Sequence, residues 1–301
     1  MHQDIIDGLL QPVARISPKY FYDQCGSELF EAITRLPEYY PTRTERTLLK
    51  ERAHDIAQAV GAVRTVIEPG AGNGEKGRVL CGILQPTHFV GVDISTEILQ
   101  EGMARLRQEQ PTVDARAVTA DLTNHLELPE DIPFAHRLVF YPGSSIGNFD
   151  PPQALEWLRR ARTWIDNTGG LLIGIDLPKE LAVLEAAYDD AAGVTARFNR
   201  NVLAHVNRLI GSDFDASQWS HRAFFNTKAS RIEMHLEADR GQLVRWPGGR
   251  REFAQGERIH TENSYKYPLP AFSAMLREAG FTRARWWTDE RHWFALIHAQ
   301  P

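Results

Sequence analysis

The sequence predicts an α/β fold, a doubly wound sheet with a second, α+β region added to it. Three observations lead to this expectation. Strand-like segments alternate with helical ones between residues 64 and 176, a glycine-rich turn follows the first strand, and the pattern changes after Asp176. Strands that alternate with helices pair in parallel through right-handed crossovers. We therefore expect ligands at the carboxyl ends of the strands.

The predicted elements follow in chain order. The first sixty residues have helical spacing and no strand, with a second helix starting at Pro41-Thr42. Core strands are expected at residues 64–70, 89–93, 115–119, 137–142 and 171–176, and helices at 75–84, 96–108 and 152–165. Two helices (179–192 and 195–209) and an antiparallel pair within 222–246 form the added region, and a helix near 270–279 and strands at 283–287 and 293–298 complete the sheet with an antiparallel edge. We assign residues 61–187 and 270–301 to the core, and 1–60 and 188–269 to substrate binding.

Composition limits the possible functions. The chain has 301 residues, of which 43% are hydrophobic, so it can bury a full core. A net charge of −5 without a Lys/Arg run speaks against nucleic-acid binding. Cys25 and Cys81 are far apart in the sequence and form no CxxC motif. This predicts two reduced thiols and no metal site built on cysteine. No apolar stretch is long enough to cross a bilayer, so we expect a cytoplasmic protein. We also expect a monomer that acts on a small molecule.

The glycine-rich turn predicts a cofactor site. It runs from Glu68 to Lys76 with Gly70, Gly72 and Gly74 in a Gly-x-Gly-x-Gly spacing, which resembles the first motif of class I methyltransferases. The next strand ends in Asp93, where an acidic side chain can bind both hydroxyls of an adenosine ribose. Asp121-Leu122 follows the next strand and suits an adenine amino group.

Another cofactor is possible at this turn. NAD(P) presents a ribose to the same acidic position, but the turn departs from Gly-x-Gly-x-x-Gly and no partner for hydride transfer is evident. A non-catalytic binding module is a further alternative, against which the intact cofactor motifs speak.

Seven further stretches carry a family resemblance. They are Lys19-Tyr-Phe-Tyr-Asp23, Gly26-Ser-Glu-Leu-Phe30, Leu36-Pro-Glu-Tyr-Tyr-Pro-Thr-Arg-Thr-Glu45, Pro142-Gly-Ser-Ser-Ile-Gly-Asn-Phe149, Tyr188-Asp-Asp-Ala-Ala-Gly-Val-Thr195, Phe198-Asn-Arg-Asn201 and Thr261-Glu-Asn-Ser264. From about Pro18 to its end, the chain resembles the histidine-specific N-α-methyltransferases that make hercynine (trimethylhistidine) for ergothioneine biosynthesis. The resemblance implies a class I methyltransferase, Rossmann-like core and S-adenosylmethionine as cofactor.

The resemblance also implies roles for individual residues. The implied cofactor contacts are Gly70, Gly72, Lys76, Asp93, Asp121 and Leu122. Positions around the backbone end of the amino acid are Tyr39, Gly143, Asn148 and Tyr188, and those around the imidazole are Met234, Glu262 and Ser264. Tyr22 and Phe30 are implied as further pocket residues.

The chemistry of these residues is consistent with the implied roles. Asn148 and Tyr188 can donate to a carboxylate, while Glu262 can accept a proton from one imidazole nitrogen and Ser264 can adapt to the other. Tyr39 is the candidate catalytic residue, which orients the amine or a bridging water. No strong general base is evident.

Simpler roles remain for the same residues. Tyr39 suits a core aromatic, Met234 core filling, and Asn148 a helix cap, while Glu262 and Ser264 suit an exposed strand face. We expect up to three methyl transfers to the α-amino group of L-histidine. The alternative substrate is another amino acid or an aromatic amine.

Overall fold

The chain divides into two compact units in a computed structural model that describes residues 2–121 and 128–301. The first unit holds the residues up to Tyr40 together with Lys179–Tyr265. The second unit holds Pro41–Pro178 and Lys266–Pro301. Each unit is therefore assembled from two separate stretches of the chain.

The first unit is an α+β assembly. Its helices are α1 (Gln3–Leu9), α2 (Gln24–Ile33), α8 (Leu181–Ala186) and α9 (Val194–Ile210). Its strands are β1 (Ala14–Arg15), β7 (Trp219–Asn226), β8 (Arg231–Ala238), β9 (Gln242–Trp246), β10 (Gly249–Phe253) and β11 (Arg258–Tyr265). The sheet order is β1-β11-β8-β7, and β9 and β10 form a separate hairpin. Helix α9 packs on β7 and β8 and thus covers one face of this sheet.

The second unit is built on a seven-stranded sheet. Its helices are α3 (Tyr40–Glu51), α4 (Ala53–Val60), α5 (Glu75–Leu84), α6 (Thr96–Glu109), α7 (Pro151–Thr163) and α10 (Leu269–Glu278). Its strands are β2 (Thr65–Pro69), β3 (His88–Asp93), β4 (Asp114–Thr119), β5 (Arg137–Tyr141), β6 (Gly170–Asp176), β12 (Arg283–Thr288) and β13 (Phe294–Gln300).

Strand order in this sheet determines where a ligand can bind. The order is β12-β13-β6-β5-β2-β3-β4, with parallel pairing from β6 to β4 and antiparallel pairing on both sides of β13. Every residue of β2, β5 and β6 is buried, as expected of strands covered on both faces. The chain reverses its direction of strand addition between β2 and β5. The loops after these two strands therefore flank the switch point at which α/β sheets bind ligands.

Most predicted elements are confirmed. The doubly wound α/β sheet, its alternating helices and its antiparallel edge are all present. Within residues 222–246 the expected antiparallel pair is β7 with β8, and the Pro247-Gly248 turn joins two further strands, β9 and β10.

Two predictions are wrong. The first sixty residues do contain a strand, because Ala14 and Arg15 pair in parallel with β11. The predicted helix over 179–192 is reduced to α8. The Asp190 carboxylate instead accepts hydrogen bonds from the backbone N–H groups of Val194 and Thr195, at 2.9 and 2.7 Å, and so caps the start of α9.

The observed units and the predicted division have different boundaries. The units separate after residues 40, 178 and 265, whereas the sequence placed the limits after 60, 187 and 269. Helices α3 and α4 account for the largest difference, because Leu49 and Ile56 belong to one hydrophobic cluster with Phe89 and Phe294 of the second unit. The assignment of substrate binding to one region stays a prediction.

Candidate active site

The glycine loop of the second unit joins β2 to α5. Gly70, Gly72 and Gly74 have φ angles of 71°, 52° and 67°, a left-handed backbone that side chains other than glycine rarely adopt. The N–H of Gly70 donates to the carbonyl of Val92 at 2.7 Å, which ties the loop to the end of β3. The glycine loop therefore leads into the N-terminus of α5 without bulky side chains. Backbone N–H groups at such a helix N-terminus can bind an anionic group.

The carboxylate of Asp93 holds the loop in place. One oxygen accepts from the N–H of Gly72 at 2.8 Å, and the other accepts from the N–H of Ser95 at 2.9 Å. Each carboxylate oxygen has a second lone pair, so Asp93 can accept from ribose hydroxyls as well. Asp121 follows β4, where the neighbouring Ala120 N–H donates to the Asp93 carbonyl at 3.1 Å. Leu122, the other residue predicted at the adenine, lies outside the described residues.

Sequence reasoning missed Glu45, a fully buried carboxylate on α3. Its Oε2 accepts from Lys76 Nζ at 2.6 Å, and both oxygens lie 2.9 Å from the N–H of Gly143. Glu45 thus links the first turn of α5 to the loop after β5, on the two sides of the switch point. It lies within one of the family-like stretches, but its helical context gives no local indication of this contact.

Glu68, the acidic residue before the glycines, lies beneath α5. Burial raises the pKa of its carboxyl well above the usual range, although the Lys76 ammonium opposes the shift. Its Oε2 is buried and has no hydrogen-bond partner among the described residues. A Cβ on Gly77 would lie only 2.3 Å from this oxygen, so the first turn of α5 rests directly on the carboxyl. Glu68 therefore supports the loop from inside.

The loop after β5 carries Gly143 and Asn148. Gly143 has a φ of 80°, and a Cβ there would lie 3.0 Å from Lys76 Nζ. Asn148 ends a short 3-10 turn, Ser145–Asn148. The residue that caps α7 is Asp150, whose backbone N–H donates to Oε1 of its capping-box partner Gln153 at 3.1 Å. Asn148 therefore does not serve as the helix cap.

A buried ion pair lies next to this loop and was also missed. Lys266 Nζ and Asp176 Oδ2 are 2.7 Å apart, and both side chains are almost fully buried. Asp176 ends β6, and its N–H donates to the Ser144 hydroxyl at 2.9 Å. The pair thereby supports the backbone after Gly143 at the carboxyl end of the sheet.

The predicted aromatic residues of the first unit lie close together. Ring centroids are 5.7 Å apart for Tyr22 and Phe30, 6.2 Å for Phe30 and Tyr39, and 6.1 Å for Tyr39 and Tyr188. Phe198 of α9 packs against both Tyr22 and Phe30. These edge-on and tilted rings form a continuous aromatic wall, which we call the aromatic cluster. Rings of this kind attract a cation that lies over their faces.

The predicted imidazole end lies on one face of the sheet in the first unit. Glu262 of β11 pairs with Met234 of β8, and Ser264 pairs with Ile232, so the alternation of strands gives these side chains one face. The hydroxyls of Ser264 and Tyr188 are 2.7 Å apart. The structure thus joins a residue predicted at the imidazole end to one predicted at the backbone end of the amino acid.

Asn199, which was not predicted, fixes this face to α9. Its side-chain amide donates to the carbonyl of His235 at 3.0 Å, and its oxygen accepts from the hydroxyl of Thr261 at 2.8 Å. The Nε2 of His221, whose ring also contacts Asn199, lies 2.9 Å from the carbonyl of Tyr188. A buried polar network thus positions the strand that carries Glu262.

The predicted site residues fall into two groups. The second unit brings together Gly70, Gly72, Lys76, Asp93 and Gly143, with Asp121 and Asn148 on adjoining loops. The first unit brings together Tyr22, Phe30, Tyr39, Tyr188 and Ser264, with Met234 and Glu262 on the sheet that also carries Ser264.

None of the helices among the described residues has the length and apolar character needed to cross a membrane.

Comparisons with known proteins agree with this architecture. The model of the family described as "Histidine-specific methyltransferase, SAM-dependent" matches residues 1–301. The "Histidine N-alpha-methyltransferase" of Mycolicibacterium smegmatis is 41% identical over 98% of this chain and 93% of its own length. The "Ergothioneine biosynthesis protein 1" of Schizosaccharomyces pombe is 30% identical over 72% of this chain and 30% of its own length. A solved S-adenosylmethionine-dependent methyltransferase from Clostridium acetobutylicum is similar in fold, with a TM-score of 0.54, 11% identity, and coverage of 92% of this chain and 99% of that one.

Proposed function

We propose, because the chain belongs to the family of SAM-dependent, histidine-specific methyltransferases, that it methylates the α-amino group of L-histidine up to N,N,N-trimethylhistidine. The observation that carries the proposal is the shared strand face of Glu262, Ser264 and Met234, with the Ser264 hydroxyl 2.7 Å from that of Tyr188. An acceptor and a hydroxyl on one face suit the two nitrogens of an imidazole.

The second unit supplies a site that fits S-adenosylmethionine. Its left-handed glycine loop and the cation of Lys76 suit the anionic end of the cofactor, and Asp93 suits the ribose hydroxyls. When bound, S-adenosylmethionine supplies an electrophilic methyl group on a positively charged sulfur. The chain's own residues must then fix the cofactor, orient the amine and exclude water.

Glu262 is the proposed specificity residue. Its carboxylate would accept the N–H of one imidazole nitrogen, and the Ser264 hydroxyl would adapt to the other. The carboxylate of the substrate would take hydrogen bonds from Asn148 and Tyr188, and the family resemblance implies Gly143 at the same end of the amino acid. These are the roles that the family resemblance implies for the individual residues.

Tyr39 is the proposed orienting residue for the amine. An ammonium group has no lone pair, so one proton must leave to solvent before each transfer, and Tyr39 would hold the neutral amine or a bridging water. The last transfer leaves a quaternary ammonium group, whose positive charge is permanent. The aromatic cluster would stabilise that charge by about 0.5–2 kcal/mol through cation–π attraction.

Calorimetric titration of L-histidine in the presence of S-adenosylhomocysteine tests the proposal. We expect the wild type to bind and Glu262→Gln to weaken binding about tenfold to a hundredfold, because an imidazole N–H then loses a charged acceptor. Glu252→Gln is the matched control, since Glu252 is exposed on β10 of the same unit. Mass spectrometry of the products then measures the number of methyl groups.

Two outcomes contradict the proposal. If the wild type binds adenosylhomocysteine but not L-histidine, the substrate is another amino acid or an aromatic amine, and a screen of these follows. If Glu262→Gln binds L-histidine as tightly as Glu252→Gln does, Glu262 does not recognise the imidazole.

The wider setting belongs to the same proposal. We place the reaction at the first step of ergothioneine biosynthesis, by analogy with the yeast relative named above. We further propose a cytoplasmic location and a monomer. Sedimentation velocity at several protein concentrations tests the monomer, which a concentration-dependent increase in mass would contradict.

A further inference from the structure

The sheet of the first unit has a second face, opposite the one that carries Met234 and Glu262. Strand alternation puts Glu233 and His235 of β8 on this second face. His260 of β11 is the direct cross-strand partner of His235. The register of β11 shifts between His260 and Glu262, so this strand presents His260 to one face and Glu262 to the other.

The three side chains converge. The Nε2 of His235 lies 3.0 Å from Oε2 of Glu233, and the centroids of the two imidazoles are 4.9 Å apart. One ligand atom from each residue can be chosen so that all three lie within 4.8 Å of one another. Direct cross-strand neighbours naturally approach this closely. The strands alone therefore bring two imidazoles and a carboxylate to one point.

Neighbouring groups orient the three side chains as they do around metal ions. Oε1 of Glu233 accepts from Asn226 at 2.9 Å and from Arg231 at 2.8 Å, which leaves Oε2 directed at His235. Nε2 of His260 lies 2.8 Å from Oδ1 of Asn263, which fixes the proton on Nε2 and leaves the lone pair on Nδ1. Hydrogen bonds of this kind set the tautomer and orientation of ligating residues.

His235 has an unsatisfied nitrogen at this point. The residue is 7% exposed, and its Nδ1 has no hydrogen-bond partner within the described part of the chain. The ring of Phe224 stacks on the imidazole at 5.3 Å and keeps it in place. The 3.0 Å contact with Glu233 Oε2 makes Nε2 the nitrogen that would share an ion with Glu233, and Nδ1 would then carry the proton.

The donor atoms also suit a metal ion. Glu233 and His235 are buried, and His260 is half-buried. A carboxylate with two imidazoles is a donor set for a borderline transition metal rather than for Mg²⁺ or Ca²⁺.

We propose that Glu233, His235 and His260 bind a divalent transition-metal ion of the Zn²⁺ type, with solvent completing the coordination. The ion joins β8 to β11 on the face opposite the proposed substrate residues, so it is a structural clamp and takes no part in methyl transfer. Arg231 keeps its contact with Oε1 and limits the affinity by its positive charge. The inference is independent of the proposed function.

Metal titration of the full chain, stripped of metal and without an affinity tag, tests the proposal. Zn²⁺ is titrated in competition with a chromogenic chelator, and Co²⁺ is followed by its visible absorption. We expect one tight equivalent of Zn²⁺ in the wild type. His260→Gln and Glu233→Gln should each weaken it at least about tenfold, since loss of even an orienting partner commonly has that effect. His292→Gln, which removes an exposed histidine of the second unit, should change nothing.

The Asn263→Ala variant distinguishes a specific loss of Zn²⁺ binding from a loss of binding caused by misfolding. This variant keeps all three ligands, so the metal-free protein should still unfold in one cooperative transition while its Zn²⁺ affinity falls about tenfold. The proposal is overturned if the wild type binds Zn²⁺ no more tightly than Glu233→Gln and His260→Gln. It is also overturned if His292→Gln weakens binding as much as they do.

Discussion

Replacement of Glu45 by glutamine is expected to impair both stability and cofactor binding. The fully buried carboxylate accepts from Lys76 Nζ at 2.6 Å and from the N–H of Gly143 at 2.9 Å. Glutamine keeps one acceptor oxygen, but its amide N–H₂ must then face one of these two donors. The substitution therefore removes the ion pair and sets two donors against each other.

The magnitude follows from the surroundings of the pair. Breaking a buried ion pair commonly costs about 3–5 kcal/mol, whereas a hydrogen bond to a charged group contributes about 1.5–3 kcal/mol. Lys76 keeps 25% of its side-chain surface exposed, so water can partly replace Glu45, and we expect the lower range. A loss of about 1.5–3 kcal/mol corresponds to a factor of about ten to a hundred and fifty in an equilibrium constant.

Two measurements on the same variant check this expectation. Thermal unfolding should show a melting temperature several degrees lower, since about 2–4 °C follows each kcal/mol in domains of 150–250 residues. Calorimetry should show weaker binding of S-adenosylhomocysteine, because Lys76 and the loop of Gly143 lose their common anchor. Glu278→Gln is the control, since Glu278 pairs with Arg159 at the surface, where such pairs contribute about 0–1 kcal/mol. If Glu45→Gln behaves like Glu278→Gln in both assays, Glu45 does not organise the site.

Three further predictions concern single positions. Tyr39→Phe should change the ratio of mono-, di- and trimethylated product measured by mass spectrometry, and an unchanged ratio would remove Tyr39 from the mechanism. Gly77→Ala should lower the free energy of unfolding by about 1–3 kcal/mol in denaturant titration, because the new Cβ would lie 2.3 Å from a Glu68 oxygen and 2.4 Å from the Phe89 ring. Burial lowers the pKa of His298 from 6.5 to about 4, so the unfolded chain binds the proton first. Stability should therefore fall between about pH 6.5 and 4 by at most about 3 kcal/mol, and His298→Gln should flatten that dependence in denaturant titrations.

Sequence periodicity was sufficient for the core of the second unit and insufficient for contacts between distant segments. The strands β2, β5 and β6 are apolar throughout and bounded by turn residues, so local pattern alone locates them. The two-residue strand β1 is too short to show alternation, and its pairing partner β11 lies far away in the chain.

The candidate site shows the same limit. The glycines and Asp93 stand at the ends of predicted strands, which is why chemistry and position together predict them. Glu45 looks like an ordinary polar residue of a helix, and only the folded backbone brings it to Gly143. Asp176 and Lys266 are likewise separated along the chain, so their buried pairing cannot be read from spacing.

The order of the segments along the chain determines when each unit can fold during synthesis. Each unit consists of two segments, and a segment of the other unit lies between them in the sequence. In the first unit, for example, Asp23 of α2 pairs with Asn201 and Arg208 of α9. In the second unit the last strand in chain order, β13, lies between β6 and β12 inside the sheet. A nascent chain that lacks β13 exposes the edge of β6, so the sheet can close only after β13 has been synthesised. Contacts between such distant segments also slow folding and lengthen the time during which chaperones can bind.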